Sequence, residues 1–285
     1  MKNVVLVLAA LSLISCSTLD AVQFLADASH PTPAPEPTPQ TPATPPAPQT
    51  PPPPAPKSSP KVAKAPAGLD AAAKAEWTMY SQPRASSKTF GAGADLSASG
   101  AMTLKAGDWA AYRILEKGQV KGVIKMALVG KEGDAWIYEF VSYTEKEVAV
   151  IQEAVKGLDD IARTGNPDKG QILWIKVKDK DGEIQTLDGA MLGMAGGAYK
   201  NMITNNMART GATITAGGSV TVPAGTFTST WKAETQVSQG RGSESGTAWV
   251  STQVPLWRMI KAEGKSGQVV ELVDFGSSGY QSSMK

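Results

Sequence analysis

The sequence predicts a β-rich α+β domain: a curved antiparallel sheet of about eight or nine strands with helices on its concave face. Three observations carry that prediction. Thr226 to Val237 alternates with period two. Phe227, Ser229, Trp231, Ala233 and Val237 fall on one side, and Thr226, Thr228, Thr230, Lys232, Glu234 and Gln236 on the other. That is the pattern of a strand with one covered and one wet face. Further β-prone runs follow one another through short, turn-rich connections, which implies a meander. Two stretches break the series with apolar residues at helical spacing.

The chain divides into three parts: residues 1–15, residues 16–68, and a globular domain over 69–285. In the first, Lys2 supplies a positive charge and Val4 to Ile14 is apolar apart from Ser12. The run is too short for a membrane-spanning helix, which needs about 20 apolar residues, and matches the h-region of a signal peptide. Leu13-Ile14-Ser15-Cys16 ends it, and Cys16 is the only cysteine in 285 residues. This stretch resembles the lipobox of bacterial lipoproteins. The resemblance implies cleavage before Cys16, a diacylglyceryl group on its thiol, and further acylation (palmitate-like) of the new amine. Two or more acyl chains anchor stably where one does not. By the enterobacterial sorting rule, Ser17 in place of aspartate implies the outer membrane, with the domain facing the periplasm.

His30 to Pro66 holds 16 of the 20 prolines. Such a segment buries little apolar surface and favours extended polyproline II, with a reach on the order of 100 Å. It reads as a disordered spacer between anchor and domain; a ligand for a proline-binding module or for the cell wall is the alternative. Ser58-Ser59-Pro60-Lys61 and Ser282-Ser283-Met284-Lys285 match the S-x-x-K of penicillin-recognising enzymes in form. One is in the tail and one at the C-terminus, and neither has the helix that chemistry needs.

Within the domain, Asp70 caps a short helical stretch, DAAAKAEWTMYS. Gly91 to Ala101 reads as loop. Strands are predicted at Trp109–Leu115, Val123–Val129, Ala135–Tyr143, Ile172–Val177, Glu183–Leu187, Thr226–Val237, Ser243–Thr252, Leu256–Ala262 and Val269–Phe275. Thr144-Glu145-Lys146-Glu147 has the form of a capping box. After it, Val148, Ile151, Val155, Leu158 and Ala162 make an apolar helical stripe that Gly165-Asn166-Pro167 ends. A second helix is predicted from about Gly189 to Arg209, with Met191, Met194, Ala198 and Met202 on one side.

A curved antiparallel sheet with helices on its concave face resembles the unclosed-barrel fold of the periplasmic lipoprotein carriers and related outer-membrane lipoproteins. The phrases GDWAAYR, SVTVPAGTF and VPLWRMIKAEGKSGQVVELVDFG are similar to segments of such envelope domains. The resemblance implies an open half-barrel and carries no catalytic or binding motif with it.

Candidate residues follow from chemistry. The single histidine is His30, so the domain holds neither Cys nor His. That removes Ser-His-Asp triads, Cys-His dyads and Cys/His zinc sites. A net charge of +2 implies no basic face and no nucleic-acid partner. Asp179 to Glu183 reads as a hairpin turn rather than a calcium loop, and the glycines from Gly189 to Gly197 form no phosphate loop. Methionine suits grooves that accept varied apolar ligands, so Met191, Met194, Ala198 and Met202 are the candidate apolar groove; packing on the sheet is the alternative. Trp109, Trp136, Trp174, Trp231, Trp249 and Trp257 either line a cavity or form the core. The expected function is that of a non-enzymatic, lipid-anchored protein without cofactor or metal that binds a lipid-like or lipoprotein ligand. The alternatives are an assembly lipoprotein with an envelope protein partner and a hydrolase with paired carboxylates.

Overall fold

The computed structural model describes residues 65–66, 69–82, 86–93, 102–144, 148–164, 167–178, 182–189, 192, 213–239, 242–264 and 267–284. They form one sheet of 12 strands with two α-helices. Helix α1 spans Ala71–Ser81. The strands are β1 (Thr89–Phe90), β2 (Trp109–Glu116), β3 (Gln119–Glu132), β4 (Ala135–Thr144), β5 (Val148–Lys156), β6 (Gln171–Lys178), β7 (Ile184–Asp188), β8 (Thr213–Val222), β9 (Gly225–Gln239), β10 (Gly242–Val250), β11 (Met259–Gly264) and β12 (Gln268–Gly276). Helix α2, Leu158–Thr164, and a 3-10 turn, Pro167–Lys169, lie between β5 and β6.

Two meanders are sewn together. Strands β2 to β7 pair in chain order, as do β8 to β12, and antiparallel pairing of β12 with β2 joins the two runs. Only β1 is parallel, to β9. The ladder is unclosed: its path runs from β1 to β7, with β8 paired to β9 off that path. Tight turns set the registers. Lys117 and Gly118 both have positive φ, 51° and 75°, between paired Glu116 and Gln119. This two-residue hairpin matches the right-handed twist of its strands.

Bulges bend the sheet, at Leu272/Asp274 on β12 and Leu128/Gly130 on β3 among others. The bending brings distant strands together. Ala224 N–H, in the β8–β9 turn, donates to Leu272 O in the middle of β12 at 3.2 Å. Phe90 stacks on Phe227 at 4.5 Å, and both meet Phe275 of β12, at 5.2 and 6.2 Å. The face on which these groups meet is therefore the concave one.

Both faces are covered. The concave face carries the larger apolar cluster, including Tyr112, Met126, Leu128, Phe140, Ile151, Ile175 and Leu272. The opposite face carries Ala111, Val123, Val141, Tyr143, Val150 and Val273, packed under Leu69, Trp77, Tyr80 and Met284.

Several expectations are corrected. Thr144 to Ala162 was predicted as one capped helix, but Val148–Lys156 is a strand and only Leu158–Thr164 is helical. Strand β5 is buried on both faces, so its sequence lacks the period-two signature. Val148, Ile151 and Val155 then mimic a helical stripe. The β-branched Val148, Val150, Ile151 and Val155 favour the extended form. Helices were expected on the concave face. Leu158 and Ile161 of α2 do join the concave cluster, whereas α1 lies on the opposite face. On β9 the alternation slips: Ser229 is exposed and Thr230 buried, because Thr230 Oγ1 donates to Gly218 O across a bulge in β8. The strand expected from Leu256 begins at Met259, since Leu256 and Arg258 have φ of 63° and 55°.

Candidate functional site

The concave face contains a polar group that its apolar setting does not explain. Glu153 lies on β5 between Ile151 and Val155, its neighbours on the same face. One cross-strand row runs Leu128, Tyr138, Glu153, Ile175, Leu187 from β3 to β7. Glu153 is fully buried, and neither carboxyl oxygen has a hydrogen-bond partner among the described residues. Burial holds its carboxyl well above the usual carboxylate range and so favours the neutral acid. Such a group both donates and accepts a hydrogen bond.

Its neighbours extend the polar locus. The Tyr138 hydroxyl is buried and unpartnered, and its ionisation is pushed up by burial, then by Glu153 and by Tyr112. Tyr112 is satisfied: its hydroxyl donates to Met259 O of β11 at 3.2 Å. Trp257 stacks on Tyr112, with centroids 6.0 Å apart, and its indole N–H is unpartnered. Trp257 reaches this place from the loop between β10 and β11, flanked by Leu256 and Arg258, the two non-glycine residues of that loop in the left-handed region. Burying an unpartnered polar group costs about 1–3 kcal/mol. These atoms therefore subtract from stability unless something in the interior uses them.

The convex face is polar too, and its charged groups are paired, although the Trp77 indole N–H and the Ser81 hydroxyl of α1 have no partner among the described residues. The Glu139 carboxylate of β4 accepts four hydrogen bonds: from Tyr280 Oη (2.6 Å), Ser283 N (2.8 Å), Ser282 Oγ (2.5 Å) and Gln152 Nε2 (2.6 Å). Burial, and then Glu139, push the Tyr280 hydroxyl far up, so it stays protonated as the donor. Beside it, Lys125 of β3 pairs with Glu76 of α1 at 2.5 Å and lies 5.0 Å from the Tyr280 ring centroid. Tyr143 Oη donates to the other Glu76 oxygen. Arg113 of β2 bonds Glu271 of β12 at 2.7 Å and donates to Gln82 O, just beyond α1. The helix and the C-terminal segment are thus clamped side by side on one face.

The residues singled out from sequence fare unequally. Cys16, Met191, Met194, Ala198 and Met202 lie outside the described residues. Of the tryptophans, Trp136 and Trp257 are in the concave core, while Trp109, Trp174, Trp231 and Trp249 are half-buried. Lys176 and Lys261 lie over the Trp174 and Trp249 rings, 4.5 and 5.6 Å from their centroids. Ser282, Ser283 and Met284 were set aside as a terminal motif, yet the first two bond Glu139 and the third packs beneath α1. Glu153 and Glu139 were missed. A signal was available: each is a lone carboxylate with β-prone apolar residues two positions away on both sides, Ile151 and Val155, and Ile137 and Val141. The helical reading of residues 148–162 put Glu153 opposite the apolar stripe and hid it.

No described helix is long and apolar enough to cross a membrane. Among the described residues, no group of three His, Cys, Asp or Glu could hold a metal ion.

No protein-family model matches the chain, and no curated protein matches it either. Solved structures similar to it include a "putative exported protein with YmcC-like fold" from Bacteroides fragilis, 10% identical, covering 61% of this chain and 98% of that one with a TM-score of 0.26. The hypothetical protein CT021 from Chlamydia trachomatis is 10% identical, with 63% and 92% covered and a TM-score of 0.34. A "putative lipoprotein" from Parabacteroides distasonis is 11% identical, with 61% and 97% covered and a TM-score of 0.24. At these values the description of the fold rests on the strand pairing above.

Proposed function

We propose that this chain is a lipoprotein anchored by acylated Cys16 in the outer membrane, whose periplasmic domain binds an apolar or lipid-like ligand on the concave face without catalysing a reaction. The anchor rests on the lipobox-like Leu13-Ile14-Ser15-Cys16 and the proline-rich stretch after it. Ligand binding rests on one observation: the unpartnered Glu153, Tyr138 and Trp257 polar atoms inside an otherwise apolar curl. An interior selected for packing alone gains nothing from them.

The test is native mass spectrometry of the full chain purified from cell envelopes. Adducts of lipid size that are lost on delipidation and regained from a lipid extract are expected. A bare chain that regains nothing overturns ligand binding.

One observation favours a second reading. Tyr112, Met126, Leu128, Ile175 and Phe227 are all at most 1% exposed, so much of the concave face is filled by the chain's own side chains. On that reading the domain is an assembly lipoprotein acting through envelope protein contacts. Crosslinking in intact cells would then trap a protein partner on the domain.

A further inference from the structure

Among the described residues, both Glu153 carboxyl oxygens, the Tyr138 hydroxyl oxygen and the Trp257 indole nitrogen of the concave interior have no hydrogen-bond partner, nor does the indole nitrogen of Trp136, two residues from Tyr138 on β4. Their side chains belong to residues at most 5% exposed. Glu153 and Tyr138 are direct cross-strand partners, which puts their Cβ atoms about 5 Å apart on one face. Trp257 joins them through Tyr112, on which it stacks. The loop that delivers Trp257 is pinned at both ends by Ser251 N–H to Arg258 O, 2.8 Å, and holds Leu256 in the left-handed region while burying it. Backbone strain of this kind gathers where a ligand is held.

The charges around the locus decide its chemistry. The buried cations Arg113 and Lys125 lie on the convex face and are engaged with Glu271 and Glu76. Along the concave row the neighbours of Glu153 are Tyr138, Ile175, Ile151 and Val155. Among the described residues of that row an anionic head group would meet a carboxyl and no cation. A cationic head group would have to ionise an acid whose ionisation burial disfavours. An uncharged group meets complementary partners: two O–H groups that donate and accept, and one N–H that donates.

We infer that Glu153 and Tyr138, with Trp257 beside them, form the polar end of an interior site whose ligand has an apolar body and an uncharged, hydrogen-bonding head such as an amide, an ester or an alcohol. This rests on the ligand-binding reading above and narrows it to one class of head group.

The experiment offers the full chain in a sugar detergent an equimolar mixture of hexadecanamide, palmitate and hexadecylamine at pH 7.5, and reads the bound masses by native mass spectrometry. Hexadecanamide is expected to occupy the protein about ten-fold more than either charged probe, the worth of roughly one hydrogen bond. Tyr138→Phe and Glu153→Leu are each expected to lower hexadecanamide occupancy about ten-fold while leaving the melting temperature unchanged or higher, since each removes an unpartnered buried group. Preference for palmitate or hexadecylamine, or hexadecanamide occupancy unchanged in both variants, overturns the inference and leaves ligand binding standing. Failure of all three probes, together with a bare chain from envelopes, overturns the ligand-binding reading itself. If Glu153→Leu does not fold, Tyr138→Phe, which deletes a single oxygen, decides alone.

Discussion

At the scale of the residue, burial without a partner makes Glu153 a liability that grows with pH. Its folded pKa lies above its unfolded value, so the folded state binds the proton more tightly. Between the unfolded pKa and the folded one, raising the pH therefore removes stability, by up to about 1.4 kcal/mol per pH unit. Urea unfolding of the chain at pH 5 and pH 8 is expected to show this loss, and Glu153→Gln to abolish its contribution, with the variant more stable at pH 8. Equal slopes in the two proteins would contradict a neutral, unpartnered acid. Gly157 is a second such position. Its φ is 77°, and a Cβ there would run into Lys169 O of the 3-10 turn. Gly157→Ala is expected to destabilise by more than about 2 kcal/mol by strain and displacement of that turn, measured as a lowered urea midpoint.

At the scale of the element, the C-terminal segment behaves as an integral part of the sheet's convex cover. Deleting residues 280–285 strips the Glu139 carboxylate of three of its four donors and leaves a buried charge short of partners. A loss of about 3–5 kcal/mol is expected, with faster amide exchange in α1, which shares Lys125 with Tyr280. Unchanged exchange in α1 would show the two covers to be independent. Nothing in composition announces this role: a tyrosine and two serines near a chain end look like solvent-exposed tail. The α1 cap was legible, because it is local; the Asp70 carboxylate accepts from Ala73 N–H at 2.8 Å. The strands from Trp109 to Tyr143 and from Ile172 to Leu187 were also legible, since turn residues bound them. Strand β5 was not, because what meets its two faces, the C-terminal segment at Gln152 and the concave core, comes largely from far away in sequence. The pairing of β12 with β2 likewise joins residues near both ends of the domain, which no local pattern encodes. The candidate site shares that fate: Glu153, Tyr138 and Trp257 converge only once the sheet has curled.

At the scale of the whole molecule, the expected anchor makes a separable prediction. Cys16→Ser in the full chain is expected to abolish metabolic labelling by tritiated palmitate, and the domain itself is expected to stay folded, since both of its apolar clusters are built from residues 65 onward. Labelling that persists in the variant would place acylation elsewhere. The same separation holds in the other direction. Replacing buried Trp77 by Ala is expected to cost about 3–5 kcal/mol through the cavity it leaves under α1, read as a lowered melting temperature, without changing the labelling.

The clamp on the convex face also sets how the domain carries load. Tension drawn along the chain from its N-terminal side reaches the sheet first through α1, whose hold is the Trp77 contact and the Glu76 bonds to Lys125 and Tyr143. Those contacts are a few separate side-chain ones, so they can open one after another, as a zip does. The β12–β2 ladder, by contrast, would have to shear all its hydrogen bonds together. A pull from that side is therefore expected to peel this one helix before the curl with its interior is disturbed, so that the helix serves as a mechanical fuse.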